Sequence, residues 1–142
     1  VWVVFQPPTY SRTITLLDDF AEDLDEDIPF EVILLSTKFP FIFKKEKTIK
    51  EHYAIIGVGV VIDSYPLLCD GMNEHGLAIA GLNFLGNAKY HKIDKTKKNY
   101  TPYEMMLLVL GTCKNVKEVK QLFKKINIPL SIILSLAYGF SS

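Results

Sequence analysis

The stretch Tyr65–Phe84, which reads YPLLCDGMNEHGLAIAGLNF, sets two apolar runs on either side of a turn-forming segment. The apolar runs are Pro66–Cys69 and Leu77–Leu82. The segment between them, Asp70–Gly76, ends in a glycine that can adopt positive φ without steric cost. This pattern predicts two strands joined by a turn. The amide of Asn83 follows the second run and is costly to bury without hydrogen bonds, so Asn83 either caps a turn or reaches into a site.

Four further runs rich in β-branched and aromatic residues predict strands. They are Val1–Phe5, Tyr10–Leu17, Phe30–Leu35 and Ala54–Ile62. The last run is continuously apolar, which is typical of a strand buried on both faces. We interpret its glycine pair, Gly57 and Gly59, as simple sheet packing, with close approach of a neighbouring backbone as the alternative.

Two helices are predicted after these strands. Thr101 and Glu104 form a capping box with Pro102 in the first helical turn, and Gly111 is expected to end this helix. A second capping box opens at Asn115, and the apolar residues behind it recur at helical spacing: Val116, Val119, Leu122, Phe123 and Ile126. Several strands followed by two consecutive helices predict a single α+β domain over residues 1–142, in place of an alternating βαβ sheet.

The charge balance argues against two classes of partner. The chain has 142 residues with sixteen basic and sixteen acidic side chains, so we expect no nucleic-acid partner and no acidic membrane surface. No apolar run approaches the roughly 20 residues that span a bilayer, and we recognise no signal peptide. The two cysteines, Cys69 and Cys113, provide no disulfide framework and no CxxC metal pair. This usage is compatible with a reducing cytoplasm, which is the expected location.

An acidic run covers residues 18–27, in which seven side chains are carboxylates. Mutual repulsion predicts a solvated loop. The alternative is a calcium site, because hard cations bind several carboxylate oxygens, but the run lacks the glycine and the distal glutamate of an EF-hand loop. We therefore predict no metal. We also predict no cofactor, since the dinucleotide and P-loop glycine patterns are both incomplete.

Common hydrolytic motifs are absent as well. The sequence has no GxSxG and no HExxH motif, and no serine or cysteine stands in a recognisable nucleophile context. His52, His75 and His91 are expected in polar surroundings. Cys69 lies within an apolar run, where we expect a packing role, since a reactive thiolate needs an electropositive and partly exposed setting.

Several phrases of the sequence together resemble one enzyme family. They are Asp63–Pro66 (DSYP), Asn73–Phe84 (NEHGLAIAGLNF), and the helical Tyr103–Glu104 with Val116–Ile128. They resemble the choloylglycine hydrolase family, which includes bile-salt hydrolases and penicillin V acylases. The resemblance implies part of a four-layer αββα sandwich of N-terminal-nucleophile hydrolases. It also implies a small-molecule amide substrate, either a conjugated bile salt or penicillin V, and it allows a homo-oligomer, because family relatives form tetramers.

The resemblance further implies roles for three residues. In the family an N-terminal cysteine attacks the amide, with its own α-amino group as the base. Asn83 would be the asparagine whose side-chain N–H stabilises the oxyanion, which favours a site over a turn cap. Arg12 would be the arginine beside the nucleophile, and Asp18 the aspartate that contacts the terminal amine. Asp18 follows Arg12 by six positions where the family has three, so the alternative is that both are surface charges.

Both ends of the sequence depart from the family pattern. Val1–Phe5 stands where the family has its cysteine, and the tail 129–142 does not resemble the family. We therefore expect an incomplete N-terminal portion of a longer hydrolase that is inactive by itself. It would be the product of a truncated or frame-disrupted gene, or an incompletely covered chain. Two alternatives stay open: a non-catalytic remnant that still binds bile salts, and a gene product without function.

Overall fold

A five-stranded antiparallel sheet forms the larger part of the fold. The computed structural model describes residues 2–5, 30–81 and 92–128 of the chain. The strands are β1 (Trp2–Phe5), β2 (Glu31–Leu35), β3 (Ile55–Ile62), β4 (Tyr65–Asn73) and β5 (Ala78–Gly81). They lie in the order β1-β5-β4-β3-β2, so the first strand of the chain is placed beside the last strand of the β3-β4-β5 meander. Three of the predicted separate strands are confirmed, and the fourth, Tyr10–Leu17, lies outside the described residues.

Two features shape the β3–β4 hairpin: its turn has positive φ angles, and its ladder contains a shift in register. Its two-residue turn, Asp63–Ser64, has positive φ at both positions, 50° and 64°, as a type I′ turn requires. The ladder shifts register between Val58 and Gly59, which marks a β-bulge. Bulges of this kind bend a strand and increase its twist, so β3 and β4 curve together at this point.

The two glycines of β3 lie against the backbone of β4. A Cβ atom at Gly57 would lie 2.5 Å from the Asp70 carbonyl oxygen, and one at Gly59 would overlap the Leu67 carbonyl. Real Cβ atoms do not approach other atoms this closely. The glycine pair therefore permits close approach of a neighbouring backbone, and the interpretation as simple sheet packing is wrong.

β4 extends further than its apolar run predicted. It continues through Asp70 to Asn73, so only the last part of the predicted turn segment is a turn. That turn is closed by the Asn73 N–H, which donates to the Leu77 carbonyl at 3.0 Å, and by the Gly76 N–H, which donates to the Asn73 carbonyl at 2.9 Å. Aspartate and glycine favour turns locally, but pairing of β4 with strands on both sides overrides that preference.

Helix α1 (Pro102–Thr112) lies at the centre of the core. The predicted capping box is confirmed: the Glu104 N–H donates to Thr101 Oγ1 at 3.1 Å, and the Thr101 N–H donates to Glu104 Oε2 at 2.8 Å. The helix does not end at Gly111 as predicted. Gly111 lies inside α1, where a Cβ would lie 2.6 Å from the Phe41 ring, so its role is close packing.

Helix α2 (Val116–Phe123) is a surface helix in which only Val119 is buried. Its predicted cap is confirmed, because the Glu118 N–H donates to Asn115 Oδ1 at 3.0 Å. The helix stops before Ile126, which lies in β7 (Ile126–Asn127) and pairs in parallel with β6 (Lys98–Asn99). Ile126 fits helical spacing, but a short buried strand satisfies the same apolar pattern.

The two faces of the sheet are covered differently. Cross-strand partners share a face, and α1 packs on the row of Ile33, Gly57, Gly71 and Ile79. The opposite face carries the row of Val32, Val58, Asp70 and Ala80. On that face burial is uneven: Val32 is exposed, Val58 is half-buried and Asp70 is buried. The prediction that β3 is buried on both faces is therefore wrong.

Candidate active site

The pairing of β1 with β5 brings two distant parts of the sequence together. Trp2 lies directly opposite Gly81, two residues before Asn83. Cross-strand partners have Cα atoms roughly 4.5 to 5.5 Å apart. The start of β1 and the end of β5 therefore lie side by side, at the same end of the two strands. By the family resemblance, the nucleophile and the oxyanion donor are both expected at this end.

The three predicted site residues, Arg12, Asp18 and Asn83, lie outside the described residues, and their roles stay predictions. The acidic run 18–27 and the tail 129–142 lie outside them too. The described chain therefore supplies the framework of the candidate site, in the form of the strands that lead into and out of it. Three polar side chains in the second half of β4 and just after it hold this framework: Asp70 and Asn73, which are buried, and Glu74, which is exposed.

Asn73 is the strongest of these anchors. Its side chain is 2% exposed, and its Nδ2 donates to the carbonyls of Leu110 at 2.8 Å and Cys113 at 2.7 Å. Its Oδ1 accepts from the backbone N–H groups of His75 and Leu77, each at 3.1 Å. The last carbonyls of a helix have no partner within the helix, so Asn73 satisfies the end of α1 and closes the β4–β5 turn at once. The start of β5 is fixed relative to α1 by one amide.

Glu74 attaches the same turn to β3. The Glu74 N–H donates to the Ala54 carbonyl at 3.0 Å, and the Ala54 N–H donates back to Glu74 Oε1 at 3.0 Å. The turn between β4 and β5 is thus held by α1 on one side and by the segment before β3 on the other. These contacts restrict sliding of β5 along β1. They therefore maintain the register that places Trp2 opposite Gly81.

Asp70 is a buried carboxylate on the sheet face opposite α1. It is 3% exposed, and its Oδ1 accepts from the Val58 N–H at 3.2 Å, next to the β-bulge. Burial raises the pKa of Asp70 to about 6, against the opposing effect of this hydrogen bond. Asp70 also pairs with Ala80 of β5, so a carboxyl group whose pKa is raised by burial lies one strand away from the strand that leads to Asn83.

Asp70→Asn is expected to stabilise the protein at neutral pH and to leave it unchanged near pH 4. The folded-state pKa lies above the unfolded value, so the folded chain binds more protons between about pH 4 and pH 6 and loses stability as the pH rises through that window. Asparagine keeps the acceptor for Val58 and removes the buried charge. We expect a gain on the order of 1 kcal/mol at pH 7, after allowance for solvent screening. Urea unfolding of both proteins at pH 4 and pH 7 measures it.

The control is Glu51→Gln, which neutralises a carboxylate on an exposed residue. It should reproduce the stability profile of the unsubstituted chain at both pH values. A difference between Asp70→Asn and the unsubstituted chain that is equal at pH 4 and pH 7 would contradict the assigned role of the buried charge.

Neither cysteine has the setting of a reactive thiolate. Cys69 is half-buried in β4, and burial raises the pKa of its thiol, with a smaller contribution from the charge of Asp70. Cys113 is buried at the end of α1, where burial likewise raises the pKa of the thiol. Both thiols are free. A packing role for Cys69 stays the interpretation, and Cys113 fits the same description.

His52 is not in polar surroundings as predicted. It is 8% exposed, and its ring stacks on Phe41 with centroids 3.6 Å apart. Its Nδ1 lies 2.7 Å from the Tyr53 carbonyl oxygen and its Nε2 lies 2.6 Å from the Phe39 carbonyl oxygen. The local sequence does not indicate this burial, because His52 directly follows two charged residues, Lys50 and Glu51. His52 joins the loop before β3 to the core.

Within residues 2–5, 30–81 and 92–128, no three His, Cys, Asp or Glu side chains lie close enough to hold a metal ion. No helix there is long and apolar enough to cross a membrane. The acidic run 18–27, for which a calcium site is the alternative, lies outside these ranges.

The chain matches one protein family and several of its members. Residues 11–137 match the family "Linear amide C-N hydrolases, choloylglycine hydrolase family". The chain is 43% identical over 111 residues to a bile salt hydrolase/transferase of Lactiplantibacillus plantarum, which covers 77% of this chain and 34% of that protein. It is 39% identical over 108 residues to a conjugated bile acid hydrolase of Lactobacillus acidophilus, with 75% and 34% covered. The chain thus spans about a third of the length of the curated relatives it matches.

Solved structures agree with the sequence matches. A variant of the conjugated bile acid hydrolase from Clostridium perfringens, with an arginine replaced by leucine, superposes with a TM-score of 0.64 at 36% identity and covers 75% of this chain and 33% of its own. A second variant, with a cysteine replaced by alanine, gives the same score and identity. The expected α+β fold, part of an N-terminal-nucleophile hydrolase sandwich, is confirmed for the part that this chain spans. The chain belongs to the choloylglycine hydrolase family of linear amide C–N hydrolases.

Proposed function

We propose that the protein represented by this chain hydrolyses the amide bond of conjugated bile salts and releases glycine or taurine. The chain would be an N-terminal portion of the longer hydrolase domain, since it spans about a third of its relatives. The observation that carries the proposal is the register of β1 and β5, with Trp2 opposite Gly81. It brings the strand that would carry the nucleophile beside the strand that leads to Asn83.

The proposed chemistry follows the family pattern. A terminal thiolate attacks the amide carbonyl, and the resulting oxyanion needs donors that are already in position. Asn83 would supply one of them from its side-chain N–H. Arg12 would favour the thiolate by its positive charge, and Asp18 would orient the α-amino group that acts as the base. Penicillin V is the alternative substrate, and we favour bile salts because the relatives above carry bile-salt or bile-acid names.

We also propose that the 142-residue chain by itself catalyses no hydrolysis. Cys69 lies in the middle of a strand, and Cys113 lies at the end of a buried helix. Neither thiol has an α-amino group beside it, and burial raises the pKa of both. Two free thiols are also compatible with a cytoplasmic location, which is part of the proposal.

The purified chain is expected to release neither glycine nor taurine from glycocholate or taurocholate, and to release no product from penicillin V. Amino-acid detection by mass spectrometry measures the first two reactions. Calorimetric titration with the same bile salts separates the alternatives: saturable binding without turnover would support the non-catalytic binding remnant. Turnover by the chain alone would contradict the proposed inactivity.

A chimera tests the proposed activity directly. Residues 30–128 of this chain replace the matching segment of the Lactiplantibacillus plantarum relative, which keeps its own N-terminal segment. We expect the chimera to hydrolyse conjugated bile salts, and Asn83→Ala within it to lower kcat by roughly 100-fold or more. The control is Asn115→Ala, which removes a helix cap and no proposed site residue. If the folded chimera had the same kcat with and without the Asn83→Ala substitution, the proposed role of that residue would be contradicted.

A further inference from the structure

His52 lies between two backbone carbonyl groups, one at each of its ring nitrogens. Its Nδ1 is 2.7 Å from the Tyr53 carbonyl oxygen, and its Nε2 is 2.6 Å from the Phe39 carbonyl oxygen. A carbonyl oxygen can only accept, so both nitrogens must donate if both contacts are hydrogen bonds. A neutral imidazole has one N–H and one lone pair. With a single proton on the ring, one nitrogen lone pair would therefore face the lone pairs of a carbonyl oxygen.

The lengths of the two contacts are those of a charged donor. A neutral N–H···O bond is usually about 2.9 to 3.0 Å long, and a bond from a charged nitrogen is shorter, about 2.7 to 2.9 Å. The contacts of His52 lie at or below the lower end of the charged range. The side chain is 8% exposed, so a nitrogen without a proton has little access to water as another partner.

The Phe41 ring offsets part of the cost of burying a charge on His52. The two rings are stacked, with centroids 3.6 Å apart and planes 18° apart. The face of an aromatic ring carries negative potential and attracts a cation within about 6 Å. The backbone of α1 closes the other side of this pair at Gly111, where a Cβ would lie 2.6 Å from the Phe41 ring and 3.1 Å from the His52 Cβ.

The other titratable groups on the segments around His52 have little influence on its charge. The Cys113 thiol at the end of α1 is uncharged near neutral pH, because burial raises its pKa. The charged side chains of these segments are exposed, where water and salt screen them. They are Lys38, Lys50, Glu51 and Lys114. The two carbonyl contacts and the Phe41 ring therefore decide the protonation state.

We propose that His52 is a pH-dependent bridge. With a proton on each ring nitrogen it joins the Phe39 and Tyr53 carbonyls, and loss of one proton to water releases one of them. The bridge lies next to the contacts that hold the turn into β5. The Tyr53 N–H donates to the Gly111 carbonyl at 3.0 Å, and the following residue, Ala54, exchanges two hydrogen bonds with Glu74. The proposal is independent of any hydrolytic activity, because it uses no proposed catalytic residue.

The bridge predicts that stability falls as the pH rises above about 6.5, where an imidazole in an unfolded chain loses its second proton. The folded chain favours the protonated ring, so it binds more protons than the unfolded chain in this range. One linked proton changes the folding equilibrium constant by up to about tenfold per pH unit. Asp70 loses its contribution between about pH 4 and pH 6 and so lies below this window.

Nitrogen-15 NMR of the folded, unsubstituted chain reads the protonation state directly. At pH 7 we expect a proton on both ring nitrogens of His52, whereas a free imidazole is mainly neutral at this pH. The spectrum of His52→Gln identifies the His52 signals by their loss. Detection of one protonated and one bare His52 nitrogen at pH 7 would overturn the proposal.

Urea unfolding at pH 6.5 and pH 8.5 tests the effect on stability. The unsubstituted chain should show a lower midpoint at pH 8.5, and His52→Gln, which cannot change its charge, should lose most of that difference. The matched control is Lys50→Gln, which neutralises an exposed neighbour and should keep the full pH dependence. Equal pH dependence in His52→Gln and the unsubstituted chain would contradict the bridge.

Hydrogen exchange of the unsubstituted chain provides a test that needs no variant to fold. After correction for the intrinsic effect of base, the Tyr53 N–H should exchange faster at pH 8.5 than at pH 6.5. The reference is the Val119 N–H, which donates to the Asn115 carbonyl in the first turn of α2. Equal changes at Tyr53 and Val119 would count against release of the bridge.

Discussion

Asn73→Ala is expected to lower the free energy of unfolding by about 3 to 5 kcal/mol. The substitution removes four hydrogen bonds at a side chain that is 2% exposed. It leaves the carbonyls of Leu110 and Cys113 buried without this donor and opens the turn that leads into β5. Urea unfolding followed by circular dichroism measures the change. No other single amide in the described chain joins a helix end, a turn and two strands in this way.

Two comparisons separate the roles of the Asn73 amide. Asn73→Asp keeps the oxygen that accepts from His75 and Leu77 but replaces the donor with a charged oxygen beside two carbonyls, so it should destabilise at least as strongly at pH 7. Asn115→Ala removes the cap of α2, a half-buried residue, and should lower stability by only about 1 kcal/mol. Equal effects of Asn73→Ala and Asn115→Ala would contradict the anchoring role.

Gly59→Ala is expected to have a comparable effect, a loss of about 3 to 5 kcal/mol. A Cβ atom at position 59 would overlap the backbone carbonyl of Leu67, and backbone cannot rotate away as a flexible side chain can. The overlap lies at the β-bulge, so relief would require β3 and β4 to separate where Asp70 accepts from Val58. Thermal unfolding should show a large fall in Tm. Hydrogen exchange should show faster exchange in the β3–β4 hairpin.

Gly76→Ala is the matched control for this substitution. Gly76 has φ of 76°, but nothing lies within 4 Å of a Cβ placed there. The cost is therefore only the backbone strain of a left-handed alanine, about 1 kcal/mol. If Gly76→Ala destabilised as much as Gly59→Ala, backbone conformation and not steric overlap would explain both results.

Local patterns predicted the elements whose signals are local. The capping box at Thr101 and the N-cap at Asn115 depend on neighbours within one helical turn, and both are present in the structure. The reciprocal bond of a box at Asn115 is replaced, because the Glu118 side chain accepts from the Lys114 N–H. The strand at 54–62 is defined by its own β-branched residues. What failed was set by tertiary contacts: Gly111 continues α1 because Phe41 packs against it, and Asp70 lies in a strand because β3 and β5 pair with it.

The candidate site could be predicted only because the stretch Asn73–Phe84 resembles a known family. Asn83 was selected because the surrounding residues resemble a hydrolase family, and that family assignment is confirmed. Asn73 stands in the same phrase, yet its importance could not be inferred, since its two donor contacts lie 37 and 40 positions later in the sequence. The buried charge of Asp70 was hidden by its local preference for a turn. Long-range hydrogen bonds leave no periodic signal in a sequence.

The contacts of Asn73 also constrain the order of events during synthesis. When the ribosome has released β4 and β5 but not yet α1, the Asn73 amide has only water as a partner for its two donors. The sheet therefore cannot reach its final stability while it is the only part translated, and contacts of large sequence separation form late and slowly. Only after Cys113 has emerged can one side chain complete its bonds and commit sheet and helix together. Ribosomes arrested with Cys113 still inside the exit tunnel, and ribosomes arrested after Cys113 has left it, should yield nascent chains with sharply different protease resistance.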